Sequence, residues 1–500
     1  MTMTEPCDLS AVAARRLIGA RKLSPVELLD SCLNRIAAVN PAVNAMVAMD
    51  TDRARAAAKA AEAKVMSGAP LGPLHGLPVG IKDLEETEGL RSTFGSELFA
   101  DHVPAKDDAM VANLRAAGAI VLGKTNTPEF GAGANTRNLV YGATGNPFDP
   151  SKSAAGSSGG SAVALATGMV PIASGSDTGG SLRNPAAFNG IVGFRPSAGL
   201  VPSERRGHGW SNLPVLGPMA RSAEDCALLL SAMASDDAMD PLAYTLHGRA
   251  VRGGDTALFP PMQLDLSTLR VAASADLGFA PTERHIREVF ADRVASLGAL
   301  FGRVTEATPD CRGTDEAFEV LRAAGFLGAH LAKVQATPDK VGPNVRANVE
   351  EGLGYSLADY ARAASEQTRL YRVWQRFFRD HDLLVTPAIT ISPRPWRELF
   401  PAEIDGQATR SYFHWLALAY AVTVAGHPAI SIPLGRDRAG MPFGLQIVGP
   451  RGGDALVMAA AAAIEAAVKG DATLARPVPD IAALKAAAPI SAMPGFRTMD

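Results

Sequence analysis

Four cysteines in 500 residues, Cys7, Cys32, Cys226 and Cys311, stand too far apart for a metal knot or a disulfide frame. The nine histidines are scattered, with no H-E-x-x-H and no clustered ligand set, so no metal and no cofactor is expected. Neither sign of charge dominates. A net charge of -3 gives nucleic acid and membrane surfaces no electrostatic reason to bind. Long apolar runs are also missing: ALVMAAAAAIEAAV (455–468) is short for a bilayer, rich in alanine and broken by Glu465, and reads as a buried helix. The opening MTMTEPCDLS has neither a basic region nor an apolar core and does not read as a secretory signal, so a cytoplasmic location is expected. No internal repeat is found.

The chain is 47% hydrophobic and 20% charged, an ordinary globular composition. Its length suits two or three domains, or one large α/β domain with a smaller insertion. The first 70 residues read as helical: Ser24-Pro25-Val26-Glu27 supplies a cap, an N1 proline and a capping-box glutamate before an apolar rhythm at Leu29, Leu33 and Ile36. A second helix is expected over about 51–66. From residue 77 strand-like segments (GLPVGIKDL, AIVLG, VPIASG, IVGF) alternate with helix-like ones (107–118 and GSAVALATG), and Ser222 caps AEDCALLLSAMA. Residues 234–266 are irregular. LRVAAS, DLLVTPA, AISIPLG and FGLQIVG read as further strands, and the proline-rich 390–410 as a loop near a pocket mouth.

Two familiar motifs match by letter and fail by context. GAIVLGKT (118–125) fits the phosphate-loop pattern, but Ala119, Ile120, Val121 and Leu122 form a strand where small flexible residues must curl round phosphate. GSSGG (156–160) fits the nucleophile elbow at Ser158, yet the polar SKSAA precedes it instead of an apolar strand, and no downstream histidine sits in an informative context.

A third set is spread more widely. The small-residue turns AAGSSGGS and SDTGGSLRNPAA carry Ser157 and Ser181, and Lys82 lies upstream in LPVGIKDL. As a strand, that segment turns Gly80 and Lys82 to one face, and a lysine facing inward is desolvated and holds its proton less firmly. Alone, the segment reads rather as a solvated lysine at a strand end, followed by Asp83. In TGGS the successive N–H groups of Thr178, Gly179, Gly180 and Ser181 can form a nest for a developing oxyanion, or merely a glycine-rich turn.

Together these pieces closely resemble the amidase signature family. The resemblance runs from GLPVGIKD (76–83) through GAIVLGKTNTPEF, GATGNP and the long block 156–199 to GPMARSAEDCALLL (217–230), DLLVTPA, GHPAISIPLG and GLQIVGP. It implies an α/β fold, a mixed and mainly parallel twisted central sheet covered by helices on both faces. Residues 1–70 would pack as a helical segment on a catalytic domain of 71–500, with variable segments near 234–266, 335–355 and 390–410.

The resemblance further implies a Ser–cis-Ser–Lys triad. Ser181 would be the nucleophile, Ser157 the relay and Lys82 the base, with the Gly156–Ser157 peptide cis and the N–H groups of 178–181 as oxyanion hole. Asp177 and Arg183 would brace the loop. Gly131, Ala132 and Ser158 would line the substrate site, with Phe413, Trp415 and parts of 390–410 as the other wall. The implied activity is hydrolysis of small-molecule amides with an apolar acyl or amine part, or of related carbamates, esters or oligoamides, and a homodimer is left open.

A second member type, the glutaminase component of glutamyl-tRNA amidotransferase, holds glutamine with an aspartate and an arginine. Those positions fall here at Leu416 and near Asn348. The chain also departs from the family in having Ala155 where glycine is common, a change expected to be tolerated if its φ is negative.

Overall fold

The computed structural model describes residues 5–243, 245–246, 249–250 and 258–499. Local signals open the chain as expected. Ser10 caps α1 (Ala11–Gly19), the Ser24–Glu27 capping box opens α2 (Pro25–Val43), and Asp50 caps α3 (Thr51–Ser67). Between α2 and α3 the chain also makes a strand, β1 (Met46–Met49), which the helical reading of residues 1–70 misses. Four residues following a left-handed Asn44 turn are too few to carry a periodic signal.

Ten further strands join β1 in one sheet: β2 (Pro78–Lys82), β3 (Ile120–Thr125), β4 (Ile172–Asp177), β5 (Val192–Arg195), β6 (Val215–Ala220), β7 (Arg270–Ala273), β8 (Arg303–Glu306), β9 (Leu383–Pro387), β10 (Ala429–Arg436) and β11 (Pro442–Val448). Their order is β1-β3-β2-β4-β6-β5-β10-β11-β9-β7-β8. The sheet is mixed. The expected parallel character is confined to its flanks, where β2 pairs with β3 and β4, and β7 with β8 and β9. The centre from β4 to β9 is antiparallel, although among these neighbours only β10 and β11 are joined by a short turn.

Helices cover both faces, and the strands divide their side chains between two cores. Leu383 and Val385 of β9 enter the core that also holds residues of α1 to α3, while Leu384 enters the opposite one. The first face carries α4 (Ala109–Ala116) and α5 (Gly159–Ala166). After α6 (Arg183–Asn189) it is completed by α7 (Ala223–Met233) and α8 (Arg284–Leu297). The second face is built on α9 (Thr314–Ala336), α10 (Pro343–Gly354), α11 (Leu357–Asp380) and α12 (Ala417–Ala425). The alanine-rich run forms α13 (Asp454–Val468), buried as expected; its Glu465 accepts the N–H of Ala223 at the start of α7 (2.7 Å). Among the described residues no helix is long and apolar enough to cross a membrane.

Of the irregular 234–266, residues 244, 247–248 and 251–257 lie outside the described residues, and the rest holds a two-residue hairpin. The 390–410 loop is not at a pocket mouth near the expected site. Its Trp396 is fully buried against Ala143 and Ile490, with its indole N–H on the Pro150 carbonyl (3.1 Å).

The end of β4 is fixed by charge. Asp177 is buried and takes Nε and Nη2 of Arg183 (3.0 and 2.9 Å) and Nη1 of Arg195 (3.2 Å). Arg183 continues to the Ala419 carbonyl and Thr423 of α12 and to Gln446 of β11. Asp177 therefore ties the sheet to α6 and α12, as its bracing role implied. Although burial opposes its ionisation, the two guanidinium groups hold its carboxyl well below the usual range.

Two outcomes follow. Asp177→Asn strips both arginines of their counter-charge and should cost about 3–5 kcal/mol, read from the urea midpoint; a loss under 1 kcal/mol would remove Asp177 as the joint. Gly160→Ala would set a Cβ 2.2 Å from the Asn126 backbone nitrogen and should destabilise by about 1–3 kcal/mol or more in the same assay.

Candidate active site

Lys82 ends the parallel strand β2 and is fully buried, not solvated. Its backbone N–H donates to Ser174 Oγ (3.0 Å), and its side-chain nitrogen meets Ser157 Oγ at 2.7 Å, Ser176 Oγ at 2.8 Å and Ser158 Oγ at 2.9 Å. Among the described residues, three hydroxyls and no carboxylate bond this nitrogen. Burial pulls its pKa down to about 7, and the more distant Glu85 and Asp177 oppose that only in part.

Ser157 reaches Lys82 through a tightly packed bend. A Cβ on Gly156 would lie 2.9 Å from the Ala134 carbonyl carbon, and one on Gly159 would lie 2.3 Å from Thr136 Oγ1. The Gly156–Ser157 peptide is cis. The negative φ on which the expected tolerance of Ala155 depends is not met: the residue stands at +56°. Its left-handed backbone is held by Ser153 Oγ, which accepts its N–H, and by the N–H and hydroxyl of Thr136, which bond its carbonyl (3.0 and 2.8 Å).

Ser181 sits half-buried on the turn between β4 and α6 and shares a chamber of about 110 Å³ with Ser157, Ser176, Thr178 and Gly179. The expected four-membered nest loses one member. The Gly180 N–H is already given to Asp177 Oδ1 (2.9 Å), while among the described residues Thr178, Gly179 and Ser181 direct no N–H to a protein acceptor. Gly180 has φ +114°, and a Cβ there would fall 2.5 Å from that of Ala419, so glycine is required.

The remaining wall differs from expectation in three places. Gly131, Phe413 and Leu416 line the chamber. Ala132 does not; it is buried beside Val341 and Val345. Trp415 faces the core near Phe188, its N–H on the Tyr412 carbonyl (2.8 Å). Ser158 is fully buried and serves Lys82, so it cannot touch a substrate. Asn348 bonds Tyr412 Oη (3.0 Å) and is not among the lining residues.

The lining residues absent from the sequence reading include Ser176, Phe318 and Arg322. Ser174 and Ser176 recur at a spacing of two on β4, so one face of that strand turns hydroxyls toward Lys82, a signal legible in ASGSD. The inner chamber opens into an outer one of about 320 Å³ that shares Leu84, Phe130, Thr178, Arg322 and Phe326 with it.

The phosphate-loop lysine, Lys124, is buried in β3 against the Glu85 carbonyl, Thr87, Ser92 and Asp83, with no room for phosphate. A larger open cleft of about 1140 Å³ between α7, α13 and residues 260–265 lies away from Lys82 and Ser181. Among the described residues the one close set of metal-ligand types is Glu5, Cys7 and Asp8, whose two carboxylates are taken by Arg35 (2.9 and 3.0 Å).

Known proteins match this chain along most of its length. The family model described as Amidase matches residues 27–458. An acylamidase from Rhodococcus erythropolis is 34% identical over 461 residues, 92% of this chain and 95% of the relative. A subunit of glutamyl-tRNA(Gln) amidotransferase from Azoarcus sp. is 34% identical over 482 residues, covering 91% and 96%. The crystal structure of a bacterial aryl acylamidase of the amidase signature family superposes with a TM-score of 0.84 at 27% identity, over 92% of this chain and 96% of that one. With a matching model over most of its length and relatives aligned nearly end to end, the chain belongs to the amidase family.

Proposed function

We propose that the protein hydrolyses carboxylic amides through an acyl-enzyme on Ser181, acting on aryl or alkyl amides or related carbamates, esters or oligoamides. The observation that carries this reading is a buried lysine whose side-chain hydrogen bonds, among the described residues, all go to hydroxyls, one of them Ser157, in a chamber shared with Ser181. Neutral Lys82 has one lone pair and two N–H groups. It accepts the Ser157 proton while donating to Ser158 and Ser176. Ser157 then takes the proton of Ser181 as the Ser181 oxygen attacks the amide carbonyl.

The oxyanion meets N–H groups from Thr178, Gly179 and Ser181, which need no reorganisation to receive it. Proton return through Ser157 to the leaving nitrogen lets the C–N bond break, and water resolves the ester by the same route reversed. Phe318, Phe413 and Leu416 form an apolar part of the chamber wall and support an apolar group next to the scissile bond.

The amidotransferase relatives raise the glutaminase reading. Leu416 argues against it: an apolar side chain on the wall offers no charge to an α-ammonium group. Ammonia release from glutamine comparable to that from an anilide would favour the glutaminase.

Ser181→Ala should lower kcat on an anilide by roughly a thousandfold or more, and a loss under about tenfold would reject it as nucleophile. The base works only when deprotonated. Thus kcat/KM should fall about tenfold per pH unit below about 7 and level off above it. A flat profile from pH 5 to 7 would place the base elsewhere.

A further inference from the structure

Arg322 is a buried cation that lacks a counter-ion among the described residues. It is 8% exposed and lines both the inner and the outer chamber. Three rings enclose its guanidinium, with centroids at 4.5 Å (Phe326), 4.6 Å (Phe413) and 4.9 Å (Tyr412). Its Nη1 is fully buried with no hydrogen-bond partner among those residues. Burial lowers its pKa to about 9, which leaves it charged at neutral pH; Glu351 acts on it only from a distance and receives the Tyr355 hydroxyl (3.1 Å).

The other arginines of the outer chamber are neutralised, Arg205 by Glu86 (2.7 Å) and Asp108 (3.4 Å), and Arg206 by Asp240 (3.2 Å). Aromatic faces offset part of the cost of burying a cation, but they accept no N–H in the plane of the guanidinium. That plane is left for an acceptor.

The inner chamber of about 110 Å³ is small beside ligand pockets of roughly 300–1,000 Å³, so a substrate held at Ser181 must extend past Arg322 into the outer chamber. Phe318, Arg322, Phe326 and His330 recur every four residues on α9, forming a stripe from the nucleophile outward.

We infer that Arg322 is an anion-binding position for the substrate: the preferred amide carries a carboxylate on the part that passes into the outer chamber, gripped by the guanidinium fork. This rests on the amidase reading above for the reaction, but not for the binding. A planar fork suits a carboxylate by paired N–H···O bonds, and the rings that enclose it exclude competing water.

The test has a binding arm and a turnover arm. By calorimetry, 4-phenylbutyrate should bind the wild-type protein at least tenfold more tightly than 4-phenylbutanol, neither of which contains an amide, and Arg322→Gln should bring that ratio near one. In turnover, ω-carboxyacyl anilides or N-acyl-4-aminobenzoates should exceed their uncharged counterparts by tenfold or more in kcat/KM, mainly through KM. Arg322→Gln should abolish that advantage, while Arg322→Lys, keeping charge but not the fork, should retain part of it.

An acid preference that is absent from the wild type, or that survives Arg322→Gln, would overturn the inference. If Arg322→Gln fails to fold, the wild-type acid-to-alcohol ratio decides alone. Acid binding that depends on Arg322, without hydrolysis of any amide, would support the anion site and reject the amidase reading. Amide hydrolysis with no acid preference in either arm would do the reverse.

Discussion

The site hangs on one buried carboxylate. Asp177 closes β4 and at once receives two guanidinium groups and the N–H groups of Gly180 and Leu182 (2.9 and 3.2 Å). Folding the turn around an ion cluster costs desolvation that only complete pairing offsets, so the arrangement is intolerant of partial substitution. That intolerance is useful here. It fixes the path of residues 178–182 through the N–H groups of Gly180 and Leu182, and leaves those of Thr178, Gly179 and Ser181 without a protein acceptor among the described residues. Commitment of the Gly180 N–H to Asp177 is the cost of that rigidity.

The second constraint is the contrast between two buried lysines on adjacent strands. Lys82 and Lys124 lie on β2 and β3, whose parallel register pairs Ile81 with Lys124 and Lys82 with Thr125, so the two side chains leave opposite faces of the sheet. Lys124 meets the Asp83 carboxylate at 3.7 Å, along with a carbonyl and two hydroxyls. Asp83, the neighbour of Lys82 in sequence, thus turns to Lys124 and to Thr93 (2.6 Å) and leaves Lys82 to neutral partners. A lysine among hydroxyls gives up its proton more easily than one beside an acid. The KD pair at 82–83 therefore separates: Lys82 ends β2 with its side-chain nitrogen among hydroxyls, and Asp83, in the turn that follows, faces the other buried lysine.

Much of this was readable from the residue pattern. Strand alternation put Gly80 and Lys82 on one face without deciding that the face was buried, which only the family resemblance implied, and the two serine-glycine turns marked where the backbone must bend closely. What escaped did so for definite reasons. β1 is four residues long and pairs only at the sheet edge. Trp415 and Phe413 are two apart in a short irregular turn, and nothing local decides which ring faces the chamber. The left-handed Ala155 depends on Thr136 and Ser153, and Thr136 comes near only on folding. Arg322 lies in AFEVLRAAGFLGAHL, where a charged residue among apolar ones is normally assigned to solvent. Its i,i+4 relation to Phe318 and Phe326 was the available signal, and it becomes informative only once α9 is known to wall a cavity.

The same helix then joins selectivity to chemistry. Phe318 lies close to the Ser181 turn, since a Cβ on Gly179 would stand 3.1 Å from its ring, and it stacks on Tyr420 of α12 (4.4 Å, 7° between planes). Tyr420 in turn donates to Asp315 in the first turn of α9 (2.6 Å). α9 is thus clamped at its N-terminal end against the element that Arg183 also holds. One turn beyond Phe318, the guanidinium of Arg322 inherits that rigidity. A charge fixed to the frame that positions Ser181 can select a substrate by where its anion lies relative to the scissile bond, because neither end of the measurement is free to move.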